Sequence, residues 1–250
     1  MTTIKLSSAD YVKTYYENNF ADGTVDDEVA SVGLFVAQNA KGKVLDCGCG
    51  PVPQIWAICM PQMSELSAID LPQESIEFVK EKINTVKDWY KVFRPYQSLI
   101  EDTYGPLGDS YIIKQVEKIK DIRQADMTQA LPFLSRYFDT VISFYSLGCL
   151  RNEAELDLAL SNIEKVLKVG GKFLYINTDG NNTNESLPAY TWRGLQQSNE
   201  LVKRCLLAHG FDEIIERTID LPPNPDRMYS YSKLNLLSAV LRRPEHLNRR

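Results

Sequence analysis

Two glycines and two acids, Gly48, Gly50, Asp70 and Asp126, are the residues of this chain whose types and spacing best fit chemistry. The glycines stand in "GKVLDCGCGPVPQIW", residues 42–56. There Val44 and Leu45 read as a short buried strand and Asp46 closes it. Gly48 and Gly50 then allow a tight turn whose backbone can come close to a ligand. Two ligand classes compete for such a turn. A dinucleotide fingerprint needs a third glycine, for close helix–strand packing, where this chain has Pro53. Pro51 and Pro53 also remove two backbone donors from the place where a pyrophosphate would use them.

A ligand without phosphates loses less by those prolines. S-adenosylmethionine is one, and it needs a close backbone at the turn and an acid at the end of the next strand for its ribose hydroxyls. Asp70, which ends "LSAID" 20 positions after Gly50, meets that need. Asp126, in "QADMTQ", stands where a third strand ends, and its carboxylate can accept from an adenine amino group. Met127 beside it can supply a backbone donor and pack on the ring. "FDTVISFYSLGCL" places Ser143, Phe144 and Tyr145 at the end of a fourth strand, facing the crevice where open α/β sheets bind ligands. Each residue alone has a bland reading, as a cap or as core. Their joint placement at successive strand ends carries the weight.

The elements that position these residues alternate strand and helix. Helices are expected over "SADYVKTYYENNF" and "VDDEVASVGLFVAQNA", then after the glycine turn, over "PQESIEFVKEKIN" with Pro72 in its first turn, over "AELDLALSNIEKVLK" and over "ELVKRCLLAHGF". Strands are expected at 43–46, at 66–70, at "DIRQADM", at "FDTVISFYSL" and at "GGKFLYIN". At the end "DEIIERTIDLP" and "KLNLLSAVLRR" read as two strands with no helix between them, an antiparallel pair joined by "PPNPDRMYSYS". The predicted fold is therefore α/β and Rossmann-like. It has a seven-stranded, mostly parallel sheet, a C-terminal antiparallel hairpin and an N-terminal helical lid over residues 1–40. A single domain spans 1–250, with an insertion at 88–120 that holds an aromatic loop and an amphipathic helix. A sheet that ends in such a hairpin departs from the dinucleotide dehydrogenase pattern and fits a class I methyltransferase.

Composition narrows the setting. A net charge of -5, from 28 basic and 33 acidic residues, argues against a nucleic-acid surface. No apolar run reaches the roughly 18 residues of a membrane span. Five cysteines without framework spacing imply a reducing, cytoplasmic location, and "CGC" has no partner pair at zinc spacing, so no metal is expected.

The chain resembles the small-amine N-methyltransferase family, which includes nicotinamide, phenylethanolamine and thioether/indolethylamine methyltransferases. The matching stretches are "DYVKTYY", "LDCGCGP", "IDLPQESIEFV", "KDWY", "QADMTQALP" and "VLKVGGKFLYIN", continuing to "LSAVLRR" in the same order. "DYxxxYY" joined to "GCGP" and "ADMTQ" is narrower than the superfamily's glycine turn alone. The resemblance implies S-adenosyl-L-methionine as cofactor and assigns roles. Tyr11 faces the acceptor, Tyr16 closes over the methionine end with Tyr15 adjacent, and Gly48 and Gly50 line that end. Asp70 holds the ribose, Ser75 lies near the adenosine, and Asp126 and Met127 bind adenine. Phe144 joins the cofactor side and Tyr145 the substrate side. Asn177 falls where related enzymes carry an aspartate that touches the acceptor, a departure that removes a negative charge from that point.

Methyl transfer is an in-line displacement, so positioning the nucleophile at about 3–3.5 Å from the methyl carbon supplies most of the catalysis. No histidine is placed as a base. His209 in "LLAHGF" reads as a helix C-terminal residue before Gly210, and His246 lies in a polar tail. The expected function is N-methylation of a small amine or nitrogen heterocycle by a monomer, with Asp179 or Tyr190 as further acceptor contacts. The alternatives are O-methylation of a small aromatic metabolite and a catalytically silent cofactor-binding scaffold.

Overall fold

The computed structural model describes residues 27–51, 55–56, 60–84, 97–106, 111–178, 197–221 and 233–242. Helix α1 (Asp27–Asn39) leads into strand β1 (Gly42–Cys47), and β2 (Met63–Asp70) runs into α2 (Gln73–Ile83). Two short helices, α3 (Gln97–Tyr104) and α4 (Tyr111–Val116), precede β3 (Ile119–Gln124). Then come β4 (Phe138–Phe144), α5 (Glu153–Val166), β5 (Leu167–Thr178), α6 (Asn199–Ala208), β6 (Phe211–Asp220) and β7 (Lys233–Leu241).

The seven strands form one sheet in the order β3-β2-β1-β4-β5-β7-β6. The first five are joined in parallel, while β7 runs antiparallel to both β5 and β6. The expected Rossmann-like sheet with its terminal hairpin is what the chain forms. Val44 and Leu45 are both fully buried and belong to opposite cores. That is the mark of a parallel strand covered on both faces, and it explains why β1 reads as an unbroken apolar run.

Local chemistry sets the helices. Asn152 caps α5 by accepting from the Glu155 amide at 3.0 Å, with Glu153 and Glu155 in the first turn on the favourable side of the helix dipole. Leu156, Ala159, Leu160, Ile163 and Val166 recur at helical spacing and are buried against one face of the sheet. Ser198 caps α6 through the Leu201 amide, and Val202, Cys205 and Leu206 join the same core. On the other face Val32, Phe35 and Val36 of α1 and Ile76 and Val79 of α2 pack with Trp56.

Several boundaries differ from the sequence reading. Strand β2 starts three residues earlier than 66, and β5 begins at Leu167, ahead of the glycine pair. Helix α2 starts one residue after Pro72, whose carbonyl accepts from the Ile76 amide at 3.5 Å. Strand β3 begins at Ile119, two residues inside the 88–120 range expected for the insertion, and the described part of that range holds α3 and α4. The expected lid helix over "SADYVKTYYENNF" lies outside the described residues. Among the described residues no helix is long and apolar enough to cross a membrane.

Candidate functional site

Strand order reverses between β1 and β4, and the crevice outside the carboxyl ends of those strands is the natural binding place of such a sheet. The glycine turn leaves β1 at that point. The Gly48 and Cys49 amides both donate to the Ile69 carbonyl, at 2.8 and 3.0 Å, which folds the turn over the end of β2. Gly48 at φ +86° and Gly50 at φ +64° occupy the left-handed region, where a side chain is strained. The two glycines differ in surroundings. A Cβ on Gly48 would run into the Cβ of Ser146, whereas one on Gly50 would meet none of the described residues within 4 Å. Gly48 therefore permits close packing of two loops, while Gly50 is uncrowded by the described residues.

Asp70 ends β2 and ties the crevice together. Its Oδ2 accepts from the Gly50 amide at 2.6 Å and its Oδ1 from the Leu71 amide at 2.7 Å. Each oxygen keeps a lone pair for a further donor. Burial raises its pKa, opposed by those two amides. The Asp70 charge also reaches Cys149, whose thiol burial pushes up to about 11 with Asp70 adding to the shift.

Asp46, read from the sequence only as the end of a strand, is a second acid at the turn. It is 2% exposed, its Oδ2 accepts from the Trp56 indole at 2.6 Å, and its buried Oδ1 has no hydrogen-bond partner among the described residues. Burial pushes it up to about 7, with the Trp56 bond pulling down and the Asp70 charge adding. The signal in the sequence was an acid inside an apolar strand, flanked by positions buried on both faces.

The loop after β4 forms the opposite wall. Ser146 Oγ donates to the Cys47 carbonyl and lies 2.7 Å from Ser143 Oγ, which in turn accepts from the Leu147 amide. Ser143 is fully buried and engaged in this brace, which corrects the expectation that it faces the crevice. Phe144 and Tyr145 are half-buried with rings stacked at 4.2 Å. Tyr145 holds φ +59°, uncommon for a side chain of its size, and its amide donates to the Ile176 carbonyl at 2.8 Å.

The remaining candidates are placed as follows. Asp126 sits two residues beyond β3, its Oδ1 accepting from the Thr128 amide and hydroxyl, each at 2.8 Å. Met127 brings its Cε within 3.5 Å of the Gly48 Cβ position, so the β3 exit touches the glycine turn. Ser75 is buried in the first turn of α2. Asn177, in the last turn of the pleat of β5, donates through Nδ2 to the Tyr175 hydroxyl at 2.8 Å and lies against Gly148. Tyr11, Tyr15, Tyr16, Asp179 and Tyr190 lie outside the described residues. His209 ends α6 as expected and bonds Asp157 at 2.8 Å, away from these strand ends.

Comparison with known proteins identifies the family and the fold. Residues 45–175, just over half of the chain, match the family model described as a methyltransferase domain. No curated protein sequence matches the chain. Among solved structures, the methyltransferase in the complex with the Haloferax volcanii Trm112 methyltransferase activator is 13% identical, with a TM-score of 0.62 over 96% of this chain and 99% of that one. A TehB-like SAM-dependent methyltransferase from Corynebacterium glutamicum is 16% identical, with a TM-score of 0.57 over 94% and 98%. The CurJ carbon methyltransferase is 13% identical, with a TM-score of 0.58 over 93% of this chain and 61% of that one.

Proposed function

The chain belongs to the methyltransferase-domain family, with S-adenosylmethionine as cofactor, and on that premise we propose that its acceptor is a small molecule methylated at nitrogen, an amine or a nitrogen heterocycle. The cofactor supplies an activated methyl group on a sulfonium. The chain's own residues bind, orient and exclude water. The observation that carries the reading is the Asp70–Gly50 clamp: an acid with lone pairs to spare, bonded across a glycine turn that the described residues leave uncrowded.

In this reading Asp70 accepts from the ribose hydroxyls, and Asp126 and Met127 hold the adenine, with Ser75 beneath the adenosine side. Gly48 and Gly50 line the methionine end. Phe144 lies on the cofactor side, while Tyr145 and Asn177 face the acceptor. Tyr15 and Tyr16 close over the cofactor and Tyr11 touches the acceptor, within a lid formed by the residues ahead of α1. A neutral Asn177 supports an acceptor that needs no counter-charge. It suits a hydroxyl as well, so O-methylation is the second reading. The carbon methyltransferase among the neighbours shows that this fold does not restrict the acceptor atom.

Calorimetry with S-adenosylmethionine, S-adenosylhomocysteine and NAD comes first, followed by methyl transfer to a panel of amines, heterocycles and phenols. Turnover confined to phenols selects O-methylation. Tight cofactor binding with no turnover on any of them selects the silent scaffold.

A further inference from the structure

Asn177 does not stand alone. Its Nδ2 donates to Tyr175 Oη at 2.8 Å, the Tyr175 hydroxyl donates to Gln197 Oε1 at 3.0 Å, and Gln197 Nε2 donates to the Leu147 carbonyl at 2.5 Å. This line of bonds runs from the end of β5 through the core to the residue two before α6, and ends on the loop after β4. Tyr175 is 1% exposed and Gln197 7% exposed, so water does not compete for these bonds.

The chemistry of the last member fixes the direction of all the others. A backbone carbonyl only accepts, so the Gln197 group facing Leu147 is its NH₂. The Gln197 oxygen therefore faces Tyr175 and accepts. Burial raises the pKa of the Tyr175 phenol, so the hydroxyl keeps its proton and that proton points at Gln197. What Tyr175 presents to Asn177 is then a lone pair, and only the Asn177 NH₂ can meet it. The Asn177 carbonyl oxygen is left over. Among the described residues nothing bonds to that oxygen, and it is not among the fully buried atoms without a partner. Gly148 is part of the arrangement, since a Cβ there would stand 2.9 Å from Asn177 Oδ1 and 3.1 Å from Nδ2.

We infer that Gln197 and Tyr175 are positioning residues that lock the Asn177 amide with its oxygen outward, so that the methyl acceptor must offer a hydrogen-bond donor, an N–H or O–H, at that point. The inference rests on the reading of Asn177 as an acceptor-side residue. Its selectivity follows from polarity: a primary or secondary amine, an N–H heterocycle or a hydroxyl satisfies the oxygen. In the unprotonated form that reacts, a tertiary amine or an N-substituted ring presents no donor and leaves that oxygen desolvated and unpaired. The relay also accounts for asparagine at 177. A carboxylate there would face the Tyr175 lone pair, because Gln197 holds the hydroxyl proton.

The relay is tested on the protein without any acceptor. In ¹⁵N-labelled protein, Tyr175→Phe should speed exchange of the Asn177 side-chain amide protons at least tenfold. In Asn177→Asp the new carboxyl should titrate at least one pH unit higher than in Asn177→Asp combined with Gln197→Leu, where the tyrosine proton is free to turn toward it. Unchanged exchange, or equal titration in the two variants, overturns the relay. The acceptor is then tested with matched pairs, piperidine and N-methylpiperidine, aniline and N,N-dimethylaniline, imidazole and 1-methylimidazole. Methyl transfer should be confined to the N–H member of a pair, and Tyr175→Phe should reduce that preference at least tenfold. Gln197→Glu, assayed below the pH at which its buried carboxyl ionises so that it donates to the Leu147 carbonyl and accepts from Tyr175, should retain it. Similar rates for both members of a pair overturn the inference while leaving the methyltransferase reading intact. Cofactor binding with no transfer to any pair overturns the small-amine reading instead, and the Asn177 exchange and titration still decide the relay.

Discussion

Replacing Asp46 by asparagine should change how stability depends on pH, and the size of the change follows from its surroundings. Burial lifts the folded-state pKa from 3.8 to about 7. The folded protein thus holds this proton more tightly than the unfolded chain. Its contribution is fully present below pH 3.8, declines as pH rises, and is gone above about pH 7. At about 1.36 kcal/mol per unit, the whole shift is worth about 4 kcal/mol, of which about 2.5 kcal/mol is lost between about pH 5 and pH 8. Asparagine does not titrate, so Asp46→Asn removes that dependence. Its oxygen can still accept from the Trp56 indole. Its NH₂ takes the place of the partnerless Oδ1, and an unsatisfied buried donor costs about 1–3 kcal/mol at every pH. Asp139, Glu155 and Glu216, all lowered, titrate in both proteins and cancel in the difference. Urea unfolding followed by tryptophan fluorescence at pH 5, 6.5 and 8, at constant ionic strength and without cofactor, gives the comparison. The variant should gain about 2.5 kcal/mol on the wild type between about pH 5 and pH 8. Parallel stability profiles would refute the claim that Asp46 keeps its proton in the folded protein.

Other perturbations read the site from different sides. Asp70→Ala should weaken S-adenosylmethionine binding by about 1.5–3 kcal/mol in calorimetry, through loss of a charged acceptor; full affinity in a folded variant would remove Asp70 from the site. Gly48→Ala should destabilise by about 1–3 kcal/mol through its left-handed backbone alone, and urea unfolding should show a smaller cost for the same change in a Ser146→Gly background, where the Cβ contact is absent. Tyr11→Ala should raise the acceptor KM or lower kcat with cofactor affinity nearly intact, and a matched loss of cofactor affinity would place Tyr11 on the wrong ligand. Asp126→Ala should weaken adenosine-containing ligands more than methionine-like fragments, as measured by competition; equal losses would assign Asp126 to the Thr128 turn alone.

What was legible in the sequence was whatever local pattern determines. The alternation of strand and helix, the glycine turn, the acid at the end of β2 and the hairpin at the end all follow from residues close together in the chain. What was not legible depends on which side of a strand a residue takes or on contacts across the sheet. Ser143, Phe144 and Tyr145 were expected to face one crevice, but successive side chains of a strand point to opposite faces. Ser143 therefore shares the face of Val141 and braces Ser146, while Phe144 follows Ile142. The period of two was already in the sequence and separates Ser143 from Phe144; Tyr145, past the strand end at φ +59°, escapes it and packs on the Phe144 side. Asn177 is a different case. Its residue type was legible, and so was its departure from an aspartate at that position. Its polarity was not, because it is set by Gln197, 20 residues away, and by the Leu147 carbonyl, 30 residues before it. No local pattern records a relay whose members come from a strand, a loop and a helix entry. An amide in a site specifies its ligand only when its neighbours decide which end faces out, so residue identity narrows the acceptor and through-space hydrogen bonding has to do the rest.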